Sequence, residues 1–147
     1  MNTLAALSIL SVSLAAAPVP AYQTTPTQVV QNIRYNAALT DYKMQDHVVE
    51  VTGRVDRIEK DGVGNYVAIM EVRIEEPAAE IYGTLRFTFD PSQCSGLASV
   101  AAPTDVVTIR GNFRFIRDQL RRVTVNRVTV DVLDCELVPV QPVARTR

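Results

Sequence analysis

Polar and apolar residues alternate in several runs of this chain, and this alternation limits the fold more than any other feature. In the run IYGTLRFTF, residues 81–89, the odd-numbered positions are apolar or glycine and the even-numbered positions are tyrosine, threonine or arginine. A period of two residues is that of a β-strand with one buried face and one exposed face. The sequence therefore predicts a fold made mainly of strands that each cover one side of a core.

Five strands preceded by one helix are predicted in total. Thr25 has the side chain of a helix N-cap and Pro26 suits the first helical position, so a helix is expected from Pro26 to about Thr40. Gly53 interrupts the alternation of the first strand and is expected to form a bulge. Residues 90–105 form a long connection with room for one short helix. The strands are expected at residues 47–60, 66–74, 81–89, 106–115 and 121–137.

The order of these elements favours one architecture. Long strands with bulges at glycine can curl and close, and a five-stranded Greek-key barrel with an extra element between its third and fourth strands is an OB fold. The predicted fold class is therefore mainly β, a five-stranded OB-fold (Greek-key) barrel preceded by one α-helix. A small open sandwich is the alternative. The domain is expected over residues 22–138, followed by a flexible, proline-broken tail at residues 139–147.

The segment NAALTDYKMQDHVVEVTGRVDRIEKDG, residues 36–62, resembles the opening of the "tRNA-anti-like" OB-fold family. The resemblance extends over roughly residues 28–138 and departs from the family pattern at Thr104, where the family has glycine. It implies an OB fold, nucleic-acid binding by likeness to anticodon-binding domains, and exported relatives. The matching positions are Asn36, Ala38, Tyr42, Val49, Val51, Thr52, Gly53, Val55, Val107, Ile109, Gly111, Asp134 and Cys135.

Residues 1–21 contain no charged side chain and resemble a secretory signal peptide. Small residues follow the apolar run, and Val19-Pro20-Ala21 fits a cut before Tyr22, where a short linker at residues 22–25 begins. The mature protein is therefore expected to be periplasmic or secreted, with no stable membrane span. An uncleaved anchor is the alternative, because residues 4–21 are long enough to cross a bilayer.

The cysteine and histidine content limits the chemistry that the chain can carry. Two cysteines in an exported protein predict one disulfide, between Cys94 and Cys135, and two free thiols are the alternative. His47 is the single histidine, and it lacks metal-ligand spacing to either cysteine. No phosphate loop or nucleophile elbow occurs. No metal, no cofactor and no enzymatic activity are predicted.

The net charge of −1 means that any attraction for a polyanion must be local. The run RGNFRFIRDQLRR, residues 110–122, concentrates arginine, and alternation directs Phe113 and Phe115 to the core and the arginines outward. In OB folds two loops and the face of the second and third strands frame the ligand groove. The candidate ligand-binding residues are Lys60, Asn65, Arg73, Tyr82, Arg86, Arg110, Arg114, Arg117 and Arg121.

The candidate partners of this surface are single-stranded nucleic acid and an anionic glycan. An envelope protein, bound without any nucleic acid, is the alternative partner. A third interpretation assigns the arginines no ligand at all: they would pair across the sheet with Glu50, Asp56 and Glu71.

Overall fold

The computed structural model describes residues 21–77, 79–118 and 125–139, and within these it describes no side chains for residues 115–118 and 125–126. Seven strands and two helices occur in this part of the chain. A 3₁₀ turn, Pro91–Gln93, precedes the second helix. The elements are β1 (Tyr22–Thr24), α1 (Pro26–Met44), β2 (Val48–Arg54), β3 (Arg57–Lys60), β4 (Tyr66–Glu76), β5 (Ala79–Phe89), α2 (Cys94–Ala98), β6 (Val106–Asp118) and β7 (Val125–Leu137).

The described strands form one sheet in the order β1-β2-β6-β7-β5-β4-β3. The pairs β1–β2 and β5–β7 are parallel and the others are antiparallel. The prediction of a mainly β fold with a helix near its N-terminus is confirmed. The prediction of five strands closed into a barrel is wrong, because the described sheet has seven strands and does not close. One of the added strands, β1, lies where a linker was expected.

The predicted first strand is divided because its backbone changes partner between two consecutive residues. The Val55 N–H donates to the carbonyl of Asp105, next to β6, at 3.3 Å. The following N–H, of Asp56, donates to the carbonyl of Ile69 in β4 at 2.8 Å. As a result β2 pairs with β6, whereas β3 pairs with β4 at the other end of the sheet order.

Gly53 is not a bulge, and its role is to make room for α1. The register between β2 and β6 continues through Gly53 without a shift. A Cβ at Gly53 would lie 2.7 Å from Cγ of Pro26, and a Cβ at Gly83 in β5 would lie 2.3 Å from Cγ2 of Val30. The first turns of α1 therefore rest on two strand positions that lack side chains.

The start of α1 follows the sequence prediction, and its end does not. The Gln28 N–H donates to Oγ1 of Thr25 at 3.3 Å, and the Thr25 N–H donates to Oε1 of Gln28 at 3.1 Å, which together form a capping box. The helix continues to Met44 instead of ending near Thr40, with a non-helical residue at Asn36.

The alternation in β5 and in β6 as far as Phe113 places side chains in the core or on the surface as predicted, although β6 shifts register against β7 both before and after Phe113. The apolar odd-numbered side chains of β5 from Ile81 to Phe89 are fully buried, and so is Phe113. Phe113 pairs with Val132, but after the shift Phe115 pairs with Asp131. The structure does not describe the side chain of Phe115, so its place in the core stays a prediction.

The predicted disulfide is wrong, because both cysteines are free thiols. Cys94 is exposed at the start of α2, whereas Cys135 is buried. The Sγ of Cys135 donates to the carbonyl of Val132 at 3.3 Å and fills the space left by Gly111, whose Cβ would lie 2.7 Å away. Burial raises the pKa of the Cys135 thiol far above its usual value.

We expect Gly83→Ala to lower the free energy of unfolding by about 1 to 3 kcal/mol, because the added methyl overlaps the buried Val30 side chain. Urea unfolding followed by circular dichroism measures this change. Gly62→Ala is the control, since no atom lies within 4 Å of its Cβ position. Equal stability of the two variants would show that α1 does not rest on Gly83.

We expect one of the two thiols to react with an aromatic disulfide reagent in the folded protein, and two in the unfolded protein. Exposed Cys94 reacts, whereas burial and a raised pKa protect Cys135. Cys94→Ser should abolish the reaction of the folded form. Zero reactive thiols after unfolding without reductant would mean that the two cysteines are bridged.

Candidate ligand-binding groove

The outer surface carries an open groove of about 660 Å³ where β4, β5, β7 and the end of β2 approach one another. We call it the β4–β5–β7 groove. Its floor is small and apolar, and its walls carry charged and hydroxyl side chains. The lining residues are Arg54, Asp56, Glu71, Val72, Arg73, Tyr82, Gly83, Thr84, Arg127, Val128 and Thr129.

Strand register produces the central row of this groove. Arg73 of β4 pairs with Tyr82 of β5, and Tyr82 pairs with Arg127 of β7. Directly opposed residues of paired strands project from the same face, so an aromatic ring lies between two arginine positions. These three residues come from three strands, and the parallel β5–β7 pair brings together positions 45 residues apart (127 minus 82).

Arg73 and Tyr82 are connected through Glu80. The Arg73 Nη2 lies 2.6 Å from Oε1 of Glu80 and 3.3 Å from Oε1 of Glu75. The Tyr82 hydroxyl donates to Oε2 of Glu80 at 2.5 Å. The guanidinium carbon of Arg73 lies 5.9 Å from the centre of the Tyr82 ring, within cation–π range.

The electrostatics of this cluster keep Glu80 charged. Hydrogen bonds from Tyr82 and then from Arg73 lower the pKa of the Glu80 carboxyl. The same bond to Glu80 raises the pKa of the Tyr82 hydroxyl, which therefore stays protonated and available as a donor.

Arg127 differs from the other arginines whose side chains are described. Each of the others forms an ion pair with a carboxylate. Arg127 forms none with any described side chain, although it lies next to Tyr82 in an open groove. An anionic group can therefore bind the Arg127 guanidinium without breaking an ion pair with any described side chain.

The structure brings two of the nine predicted ligand-binding residues, Arg73 and Tyr82, into the groove. Arg86 lies further along β5 and pairs with Glu59 at 3.7 Å and with Asp131 at 3.6 Å. It extends the same face beyond the groove.

The predicted residues of the first turn lie apart from this groove. The Lys60 ammonium lies 5.6 Å from the centre of the Tyr66 ring. Backbone N–H groups of Val63 and Asn65 donate to Oδ1 of Asp61 at 3.0 Å and 2.9 Å, which orders the turn internally.

Two of the remaining candidates, Arg110 and Arg114, lie on β6 outside the groove, and the side chains of the other two are not described. Arg110 pairs with Glu50 at 2.5 Å and Glu136 at 3.4 Å, and Arg114 pairs with Asp46 at 3.2 Å. Arg117 pairs in register with Thr129, but its side chain is not described, and Arg121 lies outside the described residues.

The three carboxylates expected to neutralise strand arginines all do so. Glu50 pairs with Arg110, Asp56 pairs with Arg54, and Glu71 pairs with Arg57. Sequence reasoning missed Arg54 and Arg127 as groove residues. The signal for Arg127 was present, since it alternates with Val128 and Val130, which are buried.

The described residues include no cluster of three or more histidine, cysteine, aspartate or glutamate side chains that could hold a metal ion. Neither described helix combines the length and the apolar composition needed to cross a membrane.

No family model matches the chain, and no curated protein matches it. The resemblance to the tRNA-anti-like family therefore stays a prediction. Among solved structures, a proposed nucleic acid-binding lipoprotein from Klebsiella pneumoniae subsp. pneumoniae is similar, with a TM-score of 0.55 and 19% identity over 81% of this chain and 92% of that chain. At this identity the likeness shows a shared fold.

Two further structures are similar at TM-scores too low to show a shared fold. A proposed aspartyl-tRNA synthetase from Leishmania major gives 0.41 with 11% identity, over 97% of this chain and 24% of that chain. A small single-stranded DNA-binding protein from Streptomyces coelicolor gives 0.36 with 16% identity, over 70% of this chain and 100% of that chain.

Proposed function

We propose that this chain is a binding module for single-stranded nucleic acid, which it holds in the β4–β5–β7 groove. The observation that carries the proposal is the position of Arg127, a cation without a described carboxylate partner, beside Tyr82 in an open groove. Guanidinium groups donate to phosphate oxygens in pairs, and tyrosine rings stack on bases of any sequence. The row Arg73–Tyr82–Arg127 supplies both kinds of contact across three strands.

The charge of the surface predicts a weak and strongly salt-dependent complex. The net charge is −1, and the arginines outside the groove are paired with carboxylates wherever their side chains are described. Three arginines, Arg54, Arg73 and Arg127, line the groove. Three phosphate contacts to a single strand give a slope of log K against log salt of about −2.

The binding surface extends in this proposal beyond the groove to the remaining candidate residues. Arg86 lies on the same face of β5 as Tyr82. The nucleic acid would leave the groove either toward the turn that contains Lys60 and Asn65 or toward β6. The β6 candidates are Arg110, Arg114 and Arg117, and Arg121 follows β6 in the sequence.

The proposed setting is outside the cytoplasm. The uncharged apolar residues 1–21 support export with removal of a signal peptide, so that residues 22–138 would act as a periplasmic or secreted domain. The similar Klebsiella protein is itself described as a lipoprotein and as a proposed nucleic-acid binder, which makes nucleic acid the first ligand to test.

An envelope protein is the second candidate partner, and one observation favours it. Tyr35, Leu39 and Tyr42 of α1 are exposed by 80%, 45% and 84%. Groups of large exposed apolar side chains are typical of protein contacts. Such a complex would survive added salt, whereas a complex with nucleic acid or an anionic glycan would not.

We expect Arg127→Gln to weaken binding of a fluorescent oligothymidylate about tenfold at low salt, because it removes a charge-assisted hydrogen bond to phosphate. The salt slope should also become shallower by about 0.7. Fluorescence anisotropy measures both. Lys43→Gln is the control, since it removes the same charge from an exposed position outside the groove.

Equal losses in the two variants would show that only overall charge matters. Binding of a sulfated oligosaccharide without binding of the oligonucleotide would reassign the groove to an anionic glycan. If the wild-type protein binds neither at low salt, the proposed function is wrong.

We expect the exported protein to begin at Tyr22, because Val19-Pro20-Ala21 provides small residues at the cut. N-terminal sequencing of protein from the native host checks this. A retained Met1 would instead identify the apolar segment as an anchor.

A further inference from the structure

One carboxylate beside the groove, that of Glu80, binds two side chains of its lining, Arg73 and Tyr82. Glu80 accepts from Arg73 with Oε1 at 2.6 Å and from the Tyr82 hydroxyl with Oε2 at 2.5 Å. Both of its oxygens are therefore occupied, one by a donor from β4 and the other by a donor from β5. Glu75 also approaches Arg73, at 3.3 Å, whereas the Tyr82 hydroxyl donates to Glu80.

The chemistry of this contact is that of a bound phosphate. A carboxylate and a phosphodiester are both anions that present two acceptor oxygens, and a guanidinium and a phenol hydroxyl donate to either. Glu80 is anionic at neutral pH, since its two donors lower its pKa. It bridges adjacent strands on an exposed face, where a backbone phosphate would also have to bridge them.

We propose that Glu80 occupies the phosphate position of the groove, and that a phosphate of the bound strand takes its place between Arg73 and Tyr82. This inference rests on the proposed function. It adds that the Glu80 carboxylate competes with the phosphate for Arg73 and Tyr82. Arg127, which pairs in register with Tyr82 and has no described carboxylate partner, makes the first contact with the strand. The adjacent phosphate then displaces Glu80, which turns outward to solvent.

Displacement explains how the groove can be selective despite its arginines. A small anion has a single charged group and contacts only Arg127. A polymer that binds Arg127 with one phosphate brings the next phosphate close to Glu80, where it can compete for Arg73 and Tyr82. The energetic barrier is low, because exposed ion pairs contribute little to stability. Glu80 is thus a specificity-determining residue that favours polymers over single anions.

The test compares oligothymidylate affinity of the wild type with that of Glu80→Gln at low salt, by fluorescence anisotropy. Glu80→Gln should bind about 2- to 5-fold more tightly, the range that removal of one exposed ion pair allows. Glu76→Gln is the matched control, because it removes the same charge from a half-buried residue that pairs with Arg34 of α1, outside the groove. The control should bind like the wild type, and circular dichroism confirms that each variant is folded.

A double variant tests whether the gain acts through Arg73. Arg73→Gln/Glu80→Gln should bind no more tightly than Arg73→Gln alone, because the released arginine is what the phosphate gains. The inference is overturned, while the proposed function stands, if Glu80→Gln binds equally or more weakly than the wild type. An equal gain in Glu76→Gln overturns it as well. Absence of any wild-type binding overturns both proposals together.

Discussion

The sheet depends on two consecutive backbone N–H groups that donate in different directions. The Val55 N–H donates toward β6 and the Asp56 N–H donates to β4, so one continuous segment supplies a strand to each side of the sheet order. The same change of partner builds part of the groove. It sets Asp56 beside β4, where its carboxylate accepts from the Glu71 N–H at 2.6 Å and pairs with Arg54 at 3.1 Å. The backbone thus positions one wall of the candidate site before any ligand is present.

Most arginines with described side chains are paired with carboxylates. A segment rich in arginine therefore need not carry unpaired positive charge. The arginine-rich segment of β6 suggests a binding surface in the sequence, yet Arg110 and Arg114 each form an ion pair with a carboxylate from elsewhere in the chain. Arg127 stands in a run of valine and threonine and meets none among the described side chains. Opposed carboxylates keep the domain near neutrality, which limits non-specific attraction of polyanions and leaves selectivity to a few positions.

Local sequence predicted much of the secondary structure, because its determinants are local. The alternation in β5 identified the buried face, and Thr25 and Pro26 identified the start of α1. The errors arose where partners are distant in sequence. The alternation of polar and apolar residues does not show that the N–H groups of Val55 and Asp56 donate to different strands. Nor does it show that β6 shifts register before Phe115. Gly53 signalled a special backbone position, but its reason, contact with Pro26, becomes visible only after the helix has packed on the sheet.

The candidate site was predictable to the same extent. Arg73 and Tyr82 were identified because they alternate outward on the strands that form the ligand face of OB folds. Arg127 was not, because it becomes their neighbour through the parallel β5–β7 pair. The cysteines show a similar limit. An even count predicts a bridge, whereas the packing of Cys135 against Gly111 and Val132 decides that its sulfur belongs to the core.

The central position of β7 has a consequence for the order in which the protein becomes functional. It is the last described strand in the chain, yet it lies between β6 and β5 and joins β1-β2-β6 to β5-β4-β3. A nascent polypeptide that has not yet emerged beyond residue 125 holds two half-sheets without the strand that joins them. Such non-local pairings form late, because distant segments must first meet. Arg127 is synthesised only at that point, so the β4–β5–β7 groove cannot be complete before the sheet is.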